Sequence, residues 1–378
     1  MILIGADFIP TKSNIDLFCE GNTRELFGER LETLLRQADY RIFNLETPLC
    51  DELDPINKCG ANFAAPTACV RGYSAAHVDL LTLANNHILD QGEAGLASTL
   101  RVLDENGIAH VGVGRNNSEA AKPHFFPFAG KTVGVYACAE HEFSVASEDS
   151  AGANPFDPLD VTDHIAGIKK ECDFLIVLYH GGKEYYRYPS PALQKTCRKL
   201  VDKGADLVIC QHSHCIGCEE KYRDGTIVYG QGNFLFDGSE RESFQTSMLV
   251  CVDEALCVSY CPLVKDGCGV RFADDKQKKD ITDGFESRSR EIVNDGFVKK
   301  SYTEFSRQNL DHYLFSISGK KSLLFRVCNR ISGNRLKNQT ARKYEKEQLT
   351  ELRNYLECES IRELFIAGIR DKTSERFA

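Results

Sequence analysis

The sequence predicts an α/β layered domain followed by a helical extension. Three observations carry this. Short apolar runs alternate with amphipathic stretches along the first two thirds of the chain. Two of those runs, at 172–180 and 206–211, are almost continuously apolar, as strands covered on both faces must be. Beyond about residue 275 the apolar runs of strand type stop and charged helical periodicity takes over.

The elements follow in order. MILIG opens the chain as a strand, and 23–38, TRELFGERLETLLRQA, has helical spacing. YRIFNLE (40–46) and VDLLTLANNH (78–87) read as strands running into polar residues. The segment 92–107 is a helix with Gly at both ends, and 109–114 and 131–138 are strand-like. CDFLIVLYH (172–180) is a strand, 190–205 a helix with Ser-Pro at its start, and DLVICQHSH (206–214) another strand. TIVYGQGNFLF and FQTSMLVCVD complete a sheet, and 343–372 reads as one or two charged helices. We expect domains at 1–275 and 276–378.

Composition narrows the function. Of 378 residues, 42% are hydrophobic and 27% charged, the balance of a globular chain. No apolar run reaches the ~18 residues a spanning helix needs, so no transmembrane segment is expected. MILIGADFIP lacks a basic start and a small-residue cleavage site, which argues against a signal peptide. The 16 Cys have no framework spacing, so reduced thiols and a cytoplasmic location are expected. Residues 1–275 carry 24 Lys+Arg against 40 Asp+Glu, and 276–378 carry 22 against 15. An acidic body does not grip nucleic acid, but it suits cations.

The chemistry gathers after the strands. Asp7 follows the first, Glu46 the second, Asn85, Asn86 and His87 the third; His180 ends one covered strand, and His212 and His214 follow the other. In an open α/β sheet, sites form at the carboxyl ends of strands, so residues some 200 positions apart can converge. Carboxylate, amide and imidazole together suit Mn, Fe or Zn better than calcium. Six ligands exceed one tetrahedral zinc and would serve one or two divalent transition-metal ions, a carboxylate being shared between two. Asp90 is a candidate helix N-cap or a supporting group. Glu184 is a candidate to orient His180. Gly232, Asn233 and Phe234 read as a tight turn, with Asn233 a candidate substrate contact; Asn44 and Asn85 join the supporting set. Cys215 and Cys218 form a Cys-x2-Cys with no second pair to complete a zinc site.

GADF, NLETPL, LANNHILDQG, HGGKEYYRYPSP, GADLVICQHSH and YGQGNFLFD occur here in the order of the CapA-type capsule-synthesis (PGA_cap) family. That family resembles the calcineurin-like metallophosphoesterases, and the resemblance covers roughly residues 1–240. It implies a four-layer α/β/β/α metallophosphoesterase-like sandwich and a link to capsule, poly-γ-glutamate or exopolysaccharide biosynthesis. Matched by motif, Asp7 is the first metal ligand, Glu46 the bridging carboxylate and Asn86 an amide ligand. His180, His212 and His214 are the imidazole ligands, with His87 the catalytic acid. The chain departs from the pattern at Ile9, where the best-known phosphoesterases carry a His, at Gly181 in place of a Trp, and at Gln211 and Ser213 in a His-His-Pro-His stretch. The loss at Ile9 leaves one ion with fewer ligands. The reading is a metal-dependent hydrolase that cleaves a phosphoester, ester or amide bond of a small-molecule or polymer substrate with a metal-activated water. The alternative is a metal-stabilised assembly component without turnover, working among capsule or polysaccharide biosynthesis proteins.

Overall fold

The computed structural model describes residues 1–319, 329–333, 335 and 343–374. Its strands are β1 (Ile2–Asp7), β2 (Tyr40–Asn44), β3 (Leu80–Thr82), β4 (Ala109–Val111), β5 (Val113–Gly114), β6 (His124–Phe128), β7 (Lys131–Ala139), β8 (Gly152–Ala153), β9 (Phe174–His180), β10 (Leu207–Gln211), β11 (Glu219–Tyr222), β12 (Gly225–Tyr229), β13 (Thr246–Val252), β14 (Val258–Asp266) and β15 (Gly269–Phe272). The helices are α1 (Ile15–Glu20), α2 (Thr23–Gln37), α3 (Val70–Ala75), α4 (Gly92–Glu105), α5 (Asn117–Ala120), α6 (Asp160–Ile168), α7 (Pro191–Asp202), α8 (Asp275–Glu291), α9 (Phe297–Ile317), α10 (Lys346–Glu357) and α11 (Glu359–Ser374).

Two sheets build the body. One has the order β15-β14-β13-β1-β2-β3-β4, the other β11-β12-β10-β9-β7-β6. Their centres are parallel: β1 with β2, β2 with β3, β7 with β9, β9 with β10, and β10 with β12. Strand β9 shows how the layers stack. All seven of its residues are buried, and its two faces go to different cores. Ile176 and Leu178 join Ile4, Ile42, Val135 and Ile209 in the core that includes both sheets. Leu175, Val177 and Tyr179 pack with Val161 and Ile165 of α6 and Cys197 and Leu200 of α7. Alternation of period two is what sends neighbours to opposite faces. Helices α1 to α4 bury Phe18, Leu26, Leu31, Tyr73, Leu96 and Leu103 with the first sheet. The result is the four-layer α/β/β/α sandwich that the resemblance implies.

Local signals explain the helix ends. Ser190 caps α7 by accepting from the Leu193 N–H, with Pro191 in its first turn. A capping box joins Asp274 and Gln277 at the start of α8. The helix expected at 23–38 is interrupted at Gly28, whose φ of 65° only glycine adopts freely; a Cβ there would sit 2.9 Å from the Arg271 side chain.

The first compact unit runs from Met1 to Lys299, so it takes in α8, beyond the boundary expected at 275. Phe285 of α8 packs with Ile216 and Met248 and against Tyr260, and Ser289 Oγ accepts from the Glu219 N–H. Polar surface residues dominate α8, so its single buried aromatic was not legible as a packing signal. The second unit, Lys300–Ala378, is helical in its described residues, and α10 packs on α11 with Tyr355 and Phe365 stacked at 6.3 Å. No helix of the described residues is long and apolar enough to cross a membrane.

Candidate metal centre

The carboxyl ends of strands from both sheets meet at one place. Asp7 ends β1, Asn44 ends β2 and Glu46 follows it; Asn85, Asn86 and His87 lie just after β3. From the other sheet come His180 at the end of β9, His212 and His214 beyond β10, and Asn233 beyond β12. Asp7, Glu46, His180, His212 and His214 are all buried, at 1 to 7% exposure.

Their donor atoms form two groups, each within 4.8 Å: Glu46, His180 and His212, and Asp7, Glu46 and His214. Glu46 belongs to both, the place the resemblance gives a shared carboxylate. Asn86 Oδ1 lies 3.0 Å from His180 Nε2, so this amide oxygen sits with the first group. His212 Nδ1 is also 3.0 Å from His180 Nε2. His214 Nδ1 lies 3.1 Å from Asp7 Oδ2 and 2.9 Å from Asn233 Oδ1. Asn44 donates to Asp7 Oδ1 at 2.7 Å, and Asn85 donates to Asn44 Oδ1 and to the Leu45 carbonyl while accepting from the His87 N–H. Asn44 and Asn85 thus brace Asp7 and the third-strand loop.

The turn that carries the histidines is strained. His212 and His214 have φ of 84° and 52°, a left-handed conformation that costs a non-glycine residue about 1–3 kcal/mol when held against its preference. Gly230 lets the turn close, since a Cβ there would meet Ser213 Oγ at 2.5 Å. Residues 232–234, expected as a tight turn, carry only a bend at Phe234, with Gly232 at φ 73° and a Cβ there blocked at 2.7 Å by the Thr246 carbonyl.

Electrostatics set the cluster apart. Both carboxylate oxygens of Glu46 are buried without a hydrogen-bond partner; His180 Nε2 stands 3.2 Å from Oε1 at ion-pair distance but not in hydrogen-bond alignment. Burial raises Asp7, and the Glu46 charge adds to it. Burial would raise Glu46 too, but His180 outweighs it and holds the carboxyl below its usual range. His180 is raised against burial by Glu46, and His214 is pushed up to about 10 against burial by Asp7 and Glu46. Burial and His180 hold His212 well below the usual imidazole range. The buried carboxylates therefore draw positive charge onto His180 and His214, while His212 is held against it. A divalent cation would satisfy the same demand, with the orphaned Glu46 oxygens as candidate ligands, so the residues fit a metal centre of the borderline type.

Asp90 takes the second of its two expected roles, and Glu184 contacts a different histidine from the one expected. Asp90 does not cap α4, whose first flanking residue is Gln91; its Oδ2 instead accepts from the Phe63 N–H at 2.6 Å and lies 2.6 Å from His87 Nδ1. The loop between β3 and α4 turns once more before the helix begins, which moves the cap position by one. Glu184 does not reach His180: its Oε1 lies 4.0 Å from His214 Nε2. Its neighbour Tyr185 has φ 61°, which turns the segment toward the other histidine. Asn233 contacts His214, and its Nδ2 is buried without a partner. Cys215 and Cys218 are buried and belong to neither donor group. All 15 described cysteines are free thiols.

Sequence reading missed Glu140, Glu142, Lys58 and Phe63. Glu140 and Glu142 carry carboxylate oxygens 3.8 and 4.0 Å from His212 Nε2, and Glu142 accepts from Asn86 Nδ2. Glu140 directly follows β7, so the strand-end rule that found Asp7 and His180 applies to it as well. Lys58 and Phe63 lie in a long irregular loop that gave no periodic signal.

A family model described as "Bacterial capsule synthesis protein PGA_cap" matches residues 7–238. The capsule biosynthesis protein CapA of Bacillus anthracis is 28% identical over 212 residues, covering 54% of this chain and 52% of that protein. The PGA biosynthesis protein CapA of Bacillus subtilis is 27% identical over 212 residues, covering 55% and 56%. A probable polyglutamine synthesis accessory protein of Mycobacterium tuberculosis is 29% identical over 237 residues, covering 56% and 59%. The chain thus spans about half the length of the curated relatives it matches. Among solved structures, a phosphatase from Mycoplasma pneumoniae aligns with a TM-score of 0.43 at 14% identity, covering 74% of this chain and 95% of that one. With more than half of its length under the family model, the chain belongs to the bacterial capsule synthesis protein PGA_cap family.

Proposed function

We propose that this chain is a divalent-metal-dependent hydrolase that cleaves a phosphoester, ester or amide bond of a small molecule or polymer in capsule or poly-γ-glutamate-type synthesis. One observation carries the chemistry: two donor groups share Glu46, whose two carboxylate oxygens are buried and unpartnered. Asp7, Glu46, Asn86, His180, His212 and His214 would hold the ions. Two such ions, when bound, polarise the scissile bond and bring the pKa of a water toward neutrality. The names of the CapA relatives support the polymer context.

The chain's own residues supply the rest. His87 belongs to neither donor group, and its Nδ1 is engaged by Asp90. That leaves Nε2 as the nitrogen free to hand a proton to the leaving group. Phe63 stacks on the ring at 4.2 Å and restricts its tilt. Glu140 and Glu142 flank His212 at the side of the cluster and limit approach there by like charge for anionic groups.

The test is His87→Ala, assayed with p-nitrophenyl and alkyl phosphate esters while metal content is measured. We expect unchanged metal and a loss of turnover of roughly 10²–10⁴-fold on the alkyl ester. The loss should be smaller on the p-nitrophenyl ester, whose leaving group needs little protonation. An equal loss on both esters, or loss of metal, removes His87 from the acid role. A wild-type chain that binds metal and turns over no ester would favour the non-catalytic assembly role, which the word "accessory" in the mycobacterial relative's name also describes.

A further inference from the structure

Residues 236–245 belong to the connection between β12 and β13 and pass beside the metal centre. Phe236 and Phe244, near the two ends of this stretch, stand 6.0 and 5.5 Å from the His214 ring. The other charges of the loop are tied down. Thr11 and Ser13 donate their hydroxyls to the Asp237 carboxylate, Lys265 pairs with Glu240 at 3.6 Å, and Arg187 pairs with Glu242. Gln245 Nε2 donates to the Ser239 and Arg241 carbonyls, which fixes the backbone between them. Arg241 differs. Among the described residues no carboxylate pairs with its exposed guanidinium, which lies 4.2 Å over the ring of Tyr185.

Tyr185 is held at a cost. Its φ of 61° is left-handed, and its N–H donates to the Ser213 carbonyl, inside the turn that carries His212 and His214. Its ring lies 6.1 Å from His214 and 6.3 Å from Phe244, so Tyr185, Phe236 and Phe244 make an aromatic surface between the cluster and Arg241. Stacking on Tyr185 uses the flat face of the guanidinium and leaves its N–H donors, which lie in the plane, unspent. The charges around the cluster are sided. Glu140 and Glu142 lie by His212, and Glu184, next to Tyr185, is shared at 4.0 Å with His214 and at 3.8 Å with Lys183. An anionic tail is repelled on the His212 side and met by Arg241 on the His214 side.

We infer that Arg241, held on Tyr185, is a specificity-determining residue: it binds a second anionic group of the substrate, a carboxylate or a phosphate, which an apolar or ring-bearing stretch separates from the group at the metal centre. The inference rests on the metal-centre reading proposed above for the first anchor, but the role of Arg241 does not depend on turnover. An arginine that merely covered Tyr185 would not tell a ligand with one anion from a ligand with two.

The experiment is titration calorimetry on the zinc-loaded full chain with phenylphosphonate, which has one anionic group and no ester to cleave, and with its para-carboxylate, para-carboxymethyl and para-phosphonate derivatives. At least one derivative should bind roughly 10–100-fold more tightly than phenylphosphonate, the worth of a charge-assisted hydrogen bond. Whether a carboxylate or the phosphonate binds best names the anion. Arg241→Met should erase the preference, and Arg241→Lys, which keeps the charge without the planar fork, should retain part of it. Tyr185→Phe keeps the aromatic support and should keep the preference. Lys183→Met removes a neighbouring cation and should keep most of it. Equal affinity for all four probes in the wild type overturns the inference, as does failure of a zinc-holding chain to bind any of them. A preference that survives in Arg241→Met overturns it too, and an equal loss in Lys183→Met would assign the effect to the general field and not to Arg241. Absence of turnover on phosphate esters with the preference intact would sink the hydrolase reading alone.

Discussion

Glu46 and Glu220 are both carboxylates buried to within 3% of complete enclosure, and their surroundings are opposite. Glu220, on β11, is fully partnered by its own chain. Arg198 Nε donates to it at 2.8 Å, Tyr229 Oη at 2.7 Å and Gln194 Nε2 at 3.3 Å. Glu46 has no hydrogen bond at all to either oxygen. A buried charge whose partners are built in belongs to the structure. A buried charge with none, ringed by imidazoles on strained backbone, is incomplete until something else binds.

Exchanging each glutamate for glutamine breaks the comparison most directly. Glu46→Gln should abolish binding of divalent transition ions, weakening it by more than the 10–100-fold typical of losing a supporting group. Glu220→Gln should leave binding as in the wild type, where we expect one to two ions per chain. Elemental analysis after dialysis checks both; equal metal content in the two variants would mean that Glu46 is not a ligand.

Metal itself should separate the two regions next. An ion present at a hundred times its dissociation constant stabilises the chain by about 2.7 kcal/mol. The melting temperature of the wild type and of Glu220→Gln should rise by a few degrees on adding zinc or manganese, and that of Glu46→Gln should not move. A rise in all three would indicate binding elsewhere.

Without metal the ranking should invert. Glu220→Gln leaves Arg198 and Tyr229 with a poorer acceptor and should cost about 1–3 kcal/mol in urea unfolding. Glu46→Gln removes a buried charge that is hydrogen-bonded by nothing and is met only by the nearby imidazoles, so its metal-free cost should be smaller than that of Glu220→Gln. A larger loss for Glu46→Gln than for Glu220→Gln would show that the imidazoles alone complete the site.

The smallest effect is expected from ending the chain after Lys299. Every candidate ligand lies between Asp7 and His214, so metal content should change less than twofold. Ending it at 275 instead removes α8 and uncovers Met248 and Ile216, so that shorter chain should aggregate or melt early on light-scattering and thermal scans.

How much of this was legible in the sequence depends on the physics behind each residue. Strand ends were readable because period and apolarity place them, and the crossing rule of α/β sheets says that such ends converge. Asp7, Glu46, His180, His212 and His214 are therefore legible as a group from the sequence, and Glu140 obeys the same rule. The partner of a supporting residue was less legible. Glu184 faces His214 and not His180 because Tyr185 turns the backbone into the left-handed region, which no spacing of residues reveals. Lys58 was not legible at all. Its neighbours Asp54, Pro55, Asn57 and Gly60 spell an exposed loop, and only a fold that buries Asp90 gives that lysine a destination.

The sharing of Glu46 between two groups has a consequence for how the chain assembles. Asp7 and His214 touch across 207 positions of sequence, and His212 meets His180 across 32. Contacts of such long separation form late, because closing a loop costs entropy before the contact repays it. The first sheet can align β1, β2 and β3 early, but the cluster has no second wall until β9 and β10 have docked on it. Ion uptake should therefore trail secondary structure during refolding, and a metal-sensitive signal followed in stopped flow would time the moment at which the two sheets lock face to face.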